Sequence, residues 1–359
     1  MADLRFCAHF PFSGEARSWA REQKLQLDAA ALASGEARLR AALSSGELKL
    51  EATSLDSEHK QAILSYAASR LILAAWGNRW AERRMAVAES KRAHDYLRTS
   101  EDGRAQYAEK LAASLGLDFS PAPVLAADSA SNSSSEPAFS IPFWQYLRFC
   151  PRDVHYKLVN AKLDKGLVRV SAHQRLRILE EAVRRRLEEP LPPMPDPPDE
   201  YKPVIARLTD LLPRENLAPI KIDTKDFPPC INKLITDLRA SINVPHLGRV
   251  ALAVYLIKAG LPDEQICALF ASAPDYNADT TRYQVEYARK KGYSMASCST
   301  MDSWGLCIAV CRCGSPVFYR EEKHGRNARE SMKHTVHGMA PAEKGEEISD
   351  PHAEKKSSS

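Results

Sequence analysis

The sequence predicts a mainly α protein with two parts. One is a helical N-terminal domain carrying a small α/β subdomain, and the other is a mostly helical C-terminal domain. Three observations lead there. Residues 15–45 and 56–114 are rich in Ala, Leu, Arg and Glu and contain no proline, the composition of helices. KGLVRV at 165–170 is a short β-type run with Gly166 at a turn. From residue 230 onward, apolar residues recur at helical spacing in several short segments broken by Pro and Gly.

Within 56–114, Leu64, Ala67, Leu71 and Ala75 recur along one face with charges between them, the pattern of packed helices. SPAPVLAADSASNSSSEPAF (120–139) has almost no large side chains. Such a stretch buries too little surface to offset its ordering entropy, and it reads as a flexible insertion. The α/β piece is expected over about 140–190, with a helix at 173–189 turning Leu176, Leu179, Val183 and Leu187 inward. EPLPPMPDPPDEYKP (189–203) is an extended, semi-rigid connector, because proline fixes φ and lacks the N–H. A helix from Val204 to Leu212 can still pack on the first half. The division is therefore 1–215, 216–320, and a polar, disordered tail at 321–359.

In the second part, Cys230 precedes a helix with Ile231, Leu234, Ile235 and Leu238 on one face. HLGRVALAVYLIKAG follows, with Gly260 as its C-terminal stop. LPDEQICALF has Pro262 near a helix start and Ile266, Leu269 and Phe270 inward. TTRYQVEYARKKG is a short amphipathic helix ending in a basic cluster.

The formal net charge of +4 is too mild to identify a nucleic-acid partner. The N-terminus shows no signal peptide. The most apolar stretches, near Ile63–Trp76 and Val250–Ile257, fall short of the roughly 20 residues a membrane span needs. A soluble, intracellular, cytoplasmic protein is expected.

SCSTMDSWGLCIAVCRCGSP (297–316) holds Cys298, Cys307, Cys311 and Cys313, four of the eight cysteines of the chain. In a reducing compartment such crowding points to metal or redox work rather than disulfides. The spacing matches neither a zinc ribbon nor the short ferredoxin run. If one of the four is spare, Cys230, stiffened by Pro228 and Pro229, is the candidate ligand from elsewhere. Thiolates suit zinc and iron–sulfur clusters alike. Cys7, Cys150 and Cys267 read as inert, small apolar residues. No Asp-x-Asp pair lies in an apolar strand, and no Walker-type glycine loop or Gly-x-Gly-x-x-Gly occurs. Nucleotide addition by this chain alone and an iron–sulfur oxidoreductase are both disfavoured on that ground.

DFPPCINKL, HLGRVALAVYLIKAGLPDEQICALF, PDYNADTTRYQVEY and ASCSTMDSWGLC follow one another in the second part. FPFSGEA, SYAASRLIL, RMAVAESKRAHDYL and FWQYLRF…YKLVNAKLDKGLVRV precede them. In this order and over most of its length, the chain resembles the large, regulatory subunit of the archaeal/eukaryotic-type DNA primase. The resemblance implies a helical first half that docks the catalytic small subunit. It also implies a C-terminal iron–sulfur domain with one 4Fe–4S cluster on Cys230, Cys298, Cys307 and Cys311, with Cys313 the alternative to Cys311. A zinc-stabilised nucleic-acid-binding module outside a primase is the alternative reading.

The family contacts the template–primer junction and the 5′ triphosphate, which here implies His246 and Arg249 in HLGR. Arg offers a planar fork to phosphate oxygens, and a helix N-terminus favours an anion. Eukaryotic relatives carry further His and Arg just upstream, where this chain has Ile242-Asn243-Val244-Pro245. Arg282, Tyr283, Lys290 and Lys291 are further nucleic-acid candidates. A solvated helix end favoured by the dipole would also account for the two lysines. Residues 148–186 carry eleven Lys/Arg against four Asp/Glu. They suit a duplex, a partner subunit or, for Arg184–Arg186, an ordinary charged helix face. Phe143, Trp144 and Tyr146 are either core or interface anchors, and the resemblance favours a partner surface. Single-stranded DNA template and RNA primer are the implied nucleic-acid partners, with no membrane.

Overall fold

A computed structural model describes residues 3–23, 28–48, 55–99, 104–122, 138–212, 227–309, 311 and 313–319. Six helices open the chain: α1 (Leu4–His9), α2 (Gly14–Glu22), α3 (Ala29–Ser44), α4 (Asp56–Trp76), α5 (Arg79–Thr99) and α6 (Arg104–Ser114). The two long helical stretches are thus broken, and the breaks have local causes. Asp3, Ser13 and Asp28 each accept a backbone N–H from three residues on, at 2.8–3.2 Å, and open α1, α2 and α3. Gly77, at φ 67°, ends α4 in a left-handed cap. Asn78 then accepts the Ala81 N–H at 2.9 Å and starts α5.

The packed face of α4 also differs from the apolar repeat in the sequence. Leu64, Ala67, Leu71 and Ala75 are only half-buried, while Ala62, Ser65, Ala68, Ser69 and Ile72 are buried. The serines are tolerated there because their hydroxyls donate back to Ala62 O (3.0 Å) and Tyr66 O (2.7 Å). Their small size lets α3 and α4 approach closely. Between them, Arg38 on α3 and Arg92 on α5 both pair with the fully buried Glu89, at 2.6 and 2.9 Å.

A four-stranded antiparallel sheet follows, in the order β1-β2-β4-β3, from β1 (Ser120–Pro121), β2 (Ala138–Pro142), β3 (Lys162–Asp164) and β4 (Leu167–Ser171). The two ends of the Ser/Ala/Pro stretch pair with each other, Ser120 opposite Ser140 and Pro121 opposite Phe139. Its middle, 123–137, lies outside the described residues. β3 and β4 form a hairpin whose Lys165 and Gly166 have φ of 46° and 80°. Positive φ at both central residues is the turn whose twist suits a hairpin. Helix α7 (Phe143–Phe149) leaves β2. Helix α8 (Ala172–Glu188) starts from a full capping box of Ser171 and Gln174. Leu179, Val183 and Leu187 on α8 are buried with Ile141, Val168 and Val170, which joins sheet and helices in one core.

After the proline-rich connector, α9 (Tyr201–Thr209) returns to the first half. Tyr201, Val204 and Leu208 pack on Leu39, Leu43, Ile72, Leu73 and Met85. The second core gathers α10 (Pro229–Arg239), α11 (His246–Lys258), α12 (Asp263–Phe270), α13 (Ala278–Lys291) and α14 (Cys298–Ser303). Cys230 is the second residue of α10 rather than its forerunner. Gly260, at φ 84°, follows α11, and Gly292, at φ 63°, caps α13. The two halves touch through side chains that donate to backbone carbonyls: Arg83 to Ala240, Arg84 to Pro274 and Tyr276, and Lys157 to Ser303. No helix among the described residues is long and apolar enough to cross a membrane. The tail from 320 onward lies outside the described residues.

Candidate metal centre and nucleic-acid groove

Cys298 is the first residue of α14. Its Ser297 cap accepts the Thr300 N–H at 3.1 Å, and its own N–H donates to Gly314 O at 2.8 Å. That backbone bond folds the downstream loop back over the helix start. Cys313 Sγ consequently lies 3.3 Å from Cys298 Sγ and 3.2 Å from Cys311 Sγ. The three sulfurs lie within 4.8 Å of one another and could hold a metal ion. Thiolates around a tetrahedral metal at about 2.3 Å sit about 3.8 Å apart, so small adjustments of this loop suit it to metal.

Cys230 and Cys307 stand outside that tight trio. Burial pushes the Cys230 thiol up to about 11, and Cys307, Cys311 and Cys298 add to the rise against a backbone hydrogen bond from Ile231. Those three thiols are thus within electrostatic reach of Cys230. The Cys307 thiol donates to Ala309 O at 3.4 Å. Burial, followed by the sulfur contacts with Cys311 and Cys298, also raises the Cys313 thiol. A cation bound by these sulfurs would take them as thiolates, with release of protons. Cys7 is fully buried, and Cys150 and Cys267 are half-buried, all three with thiols raised by burial.

The HLGR segment abuts this loop. A Cβ on Gly248 would lie 2.9 Å from Val244 Cγ1, 3.2 Å from Leu234 and 3.4 Å from Leu306. Glycine there lets the first turn of α11 press against the helix that bears Cys230 and against the residue before Cys307. His246 and Arg249 line a groove of about 170 Å³ with Asp275, Tyr276, Thr280, Gln284 and Tyr293. Arg249 is anchored: Nε donates to Val244 O (2.8 Å), and Nη2 donates to Asn243 Oδ1 (2.6 Å) and to Asp275 Oδ2 (2.7 Å). Among the described residues Nη1 makes no hydrogen bond, so one edge of the fork is held and the other is offered. Asn243 and Asp275 carry no signal of this role in the sequence.

Arg282 and Tyr283 lie on the exposed face of α13, outside the groove. Tyr283 is 61% exposed and stacks on Tyr287 at 5.9 Å, and Tyr287 meets Tyr293 edge-on at 6.0 Å. Their i, i+4 spacing is visible in RYQVEY, but only the fold shows that Tyr283 faces solvent over a half-buried Tyr287. Lys290 and Lys291 are exposed in the last turn of α13, with Lys291 5.8 Å from the Tyr287 ring.

In the α/β piece the aromatic trio separates. Tyr146 is 1% exposed and donates its hydroxyl to Tyr156 O at 2.9 Å, so it sits in the core. Phe143 and Trp144 are 44% and 54% exposed, beside the exposed Leu147. Arg184, Arg185 and Arg186 are taken up by Glu181, Glu188 and Glu189 along α8, an ordinary ion-paired helix face.

Comparison with known proteins agrees with this architecture. The family model for the N-terminal domain of the eukaryotic and archaeal DNA primase large subunit matches residues 14–194. The model for the C-terminal domain of the same large subunit matches residues 220–339, which takes in the start of the polar tail. The chain is 31% identical over 347 residues to the DNA primase large subunit PriL of Methanocella arvoryzae, with 90% of each chain covered. It is 30% identical over 333 residues to that of Methanococcoides burtonii, covering 86% of this chain and 88% of the relative. For the Methanosarcina mazei protein the figures are 28% over 345 residues and 88% of each. The chain belongs to the eukaryotic and archaeal DNA primase large subunit family, which gives it an accessory role in DNA primase.

Proposed function

We propose that this chain is the regulatory subunit of a primase heterodimer and leaves nucleotide addition to a separate catalytic small subunit. In this reading residues 1–215 dock the catalytic subunit, with Phe143 and Trp144 as exposed anchors. Residues 216–320 hold a 4Fe–4S cluster and the nucleic acid. Cys230, Cys298, Cys307 and Cys311 hold the cluster, and Cys313 is the neighbouring thiol that replaces Cys311 in the alternative. When bound, the cluster supplies a covalent tie between α10 and a loop nearly seventy residues later. The thiols beside the groove are the observation that carries the reading. Leu306, beside Cys307, and Leu234, on the helix of Cys230, pack against Gly248 in the turn that presents His246 and Arg249, so a cluster held there would brace that turn.

His246 and Arg249 then receive the 5′ triphosphate of the initiating nucleotide or primer. The rim formed by Arg282, Tyr283, Lys290 and Lys291 receives template strand and primer. Stacked tyrosines accept bases without regard to sequence, and the cations track phosphates. Holding template and 5′ end in place lowers the entropic cost of joining two nucleotides on the partner subunit.

Anaerobic purification with iron, sulfide and zinc quantitation tests the metal. About four iron and four sulfide per chain is the expected result. One zinc and no iron would replace the cluster with a zinc centre. Primer synthesis by the catalytic subunit, with and without this chain, tests the role. Equal product lengths and yields would remove it.

A further inference from the structure

Arg84 on α5 is 5% exposed, yet all four of its hydrogen bonds go to backbone carbonyls. Two belong to its own half, Ala42 O at 3.0 Å and Ser44 O at 3.4 Å. Two belong to the other half, Pro274 O at 3.1 Å and Tyr276 O at 2.8 Å, both from Nη1. Gly46, at φ 73°, makes the room, since a Cβ there would lie 3.0 Å from Arg84 Nη2. A guanidinium spreads its donors over three nitrogens in a plane and so bridges carbonyls on opposite sides, which the single nitrogen of a lysine cannot span.

The residue between the two carbonyls taken from the second half is Asp275, the carboxylate that holds Arg249. Asp275 Oδ2 accepts from Arg249 at 2.7 Å, and Oδ1 is buried with no hydrogen bond of its own. Burial lowers the pKa of Arg84 and the charge of Asp275 raises it, so the two are close enough to feel each other. Asp275 also acts on Arg184 of α8. The first half therefore clamps the turn on both sides of Asp275.

We propose that Arg84 is a positioning residue for Arg249. It pins the 274–276 turn, the turn fixes the Asp275 carboxylate, and the carboxylate fixes the held edge of Arg249, so that the Nη1 edge faces the groove. Phosphate capture in the second half then depends on contact with the first. This rests on the reading of Arg249 as a phosphate contact.

The experiment uses the full-length chain and two forms of one short RNA–DNA duplex, with a 5′ triphosphate or a 5′ hydroxyl. Arg84→Met is expected to weaken the triphosphate duplex about tenfold, the scale of one charge-assisted hydrogen bond, and the hydroxyl duplex hardly at all. Asp275→Asn should do the same, and Arg84→Met combined with Arg249→Gln should be no weaker than Arg249→Gln alone. If Arg84→Met folds poorly, Arg84→Lys serves, because it keeps the charge but cannot span both pairs of carbonyls. Equal loss for both duplexes, or additive losses with Arg249→Gln, would overturn the relay while leaving Arg249 as a phosphate contact. Arg249→Gln without loss of triphosphate selectivity would instead remove the underlying reading, and the relay with it.

Discussion

Gly35 on α3 and Ala68 on α4 lie at backbone contact: a Cβ on Gly35 would sit 2.6 Å from Ala68 Cβ and 2.9 Å from the Ser69 nitrogen. In an isolated helix Gly→Ala is favourable by roughly 1 kcal/mol. Here the added methyl has no flexible neighbour to displace, and the two helices must separate. Overpacking of this kind costs about 1–3 kcal/mol and sometimes more. Gly35→Ala is expected to lower the denaturant midpoint by a clear margin. A more stable variant would mean that α3 and α4 are not packed this closely.

Glu89 is buried between Arg38 and Arg92. Burial raises its carboxyl, but the two guanidiniums more than reverse this and bring it to about 2. His9, stacked on Tyr96 at 3.5 Å, is lowered from 6.5 to about 3 by burial and then by Arg92. Both groups resist protonation in the fold and accept it when unfolded, so the unfolded state gains protons first. The His9 contribution is full above pH 6.5 and is lost as pH falls toward 3. The Glu89 contribution is full above about pH 4.5 and is lost toward pH 2. Stability should therefore begin to fall below pH 6.5. His9→Phe should make the curve shallower between 6.5 and 4.5, where His94, also lowered by burial, keeps part of the slope, and leave the steeper acid limb, which urea titrations at stepped pH would show.

Glu89→Gln goes further, since it leaves two buried cations without an anion. Breaking a buried pair by removing one partner costs about 3–5 kcal/mol. A loss below about 1 kcal/mol would imply that Arg38 and Arg92 reach water or other partners.

How much of this is legible in the sequence follows the range of each interaction. The hairpin at Gly166, the helix stop at Gly260, and α8 with its inward leucines are set by neighbours in sequence, and they are readable. Gly77 and Asn78 also act locally, yet the helix break they cause is hidden inside a continuous Ala/Leu/Arg composition. The buried serine face of α4 is not readable, because it depends on how closely α3 approaches. Tyr146 is indistinguishable from Phe143 and Trp144 until the fold brings the Tyr156 carbonyl beside it. Likewise Asp275 and Arg84, which anchor the groove, lie 26 and 165 residues from Arg249, and no local pattern links them.

The separation of the aromatic trio gives a paired prediction. Trp144→Ala removes an exposed ring and should leave thermal stability unchanged. If the ring anchors the catalytic subunit, affinity should fall by about 2 kcal/mol, roughly thirtyfold. Tyr146→Phe removes a buried hydroxyl bond and should cost about 1 kcal/mol of stability with affinity intact. Calorimetry against the catalytic subunit, beside melting curves, reads both. A reversed pattern would move the interface elsewhere.

Helix α9 gives a test of where the first half ends. Leu208 is fully buried against α3 and α4, so Leu208→Ala should cost about 2–5 kcal/mol. A chain ending after residue 212 should keep the melting point of the first half. One ending after residue 200 would leave Leu39, Leu43, Ile72 and Leu73 uncovered and should melt lower. Equal melting would mean that α9 is not what closes the first core.

The cysteine loop yields the last prediction. If the centre takes four thiolates, as proposed, five stand near it, and their serine variants should not be equivalent. Cys230→Ser, Cys298→Ser and Cys307→Ser should each lose most bound metal. Serine keeps the shape of the side chain but is a poor ligand for a soft, thiolate-binding metal. Cys311→Ser should behave like them, and Cys313→Ser should retain its metal. Cys313 lies within 3.3 Å of both Cys298 and Cys311, so it is placed to substitute, and Cys311→Ser should keep a residual fraction that the double variant Cys311→Ser/Cys313→Ser abolishes. Metal content by mass spectrometry of the purified chains decides it. Full loss in Cys313→Ser with retention in Cys311→Ser would exchange the two roles.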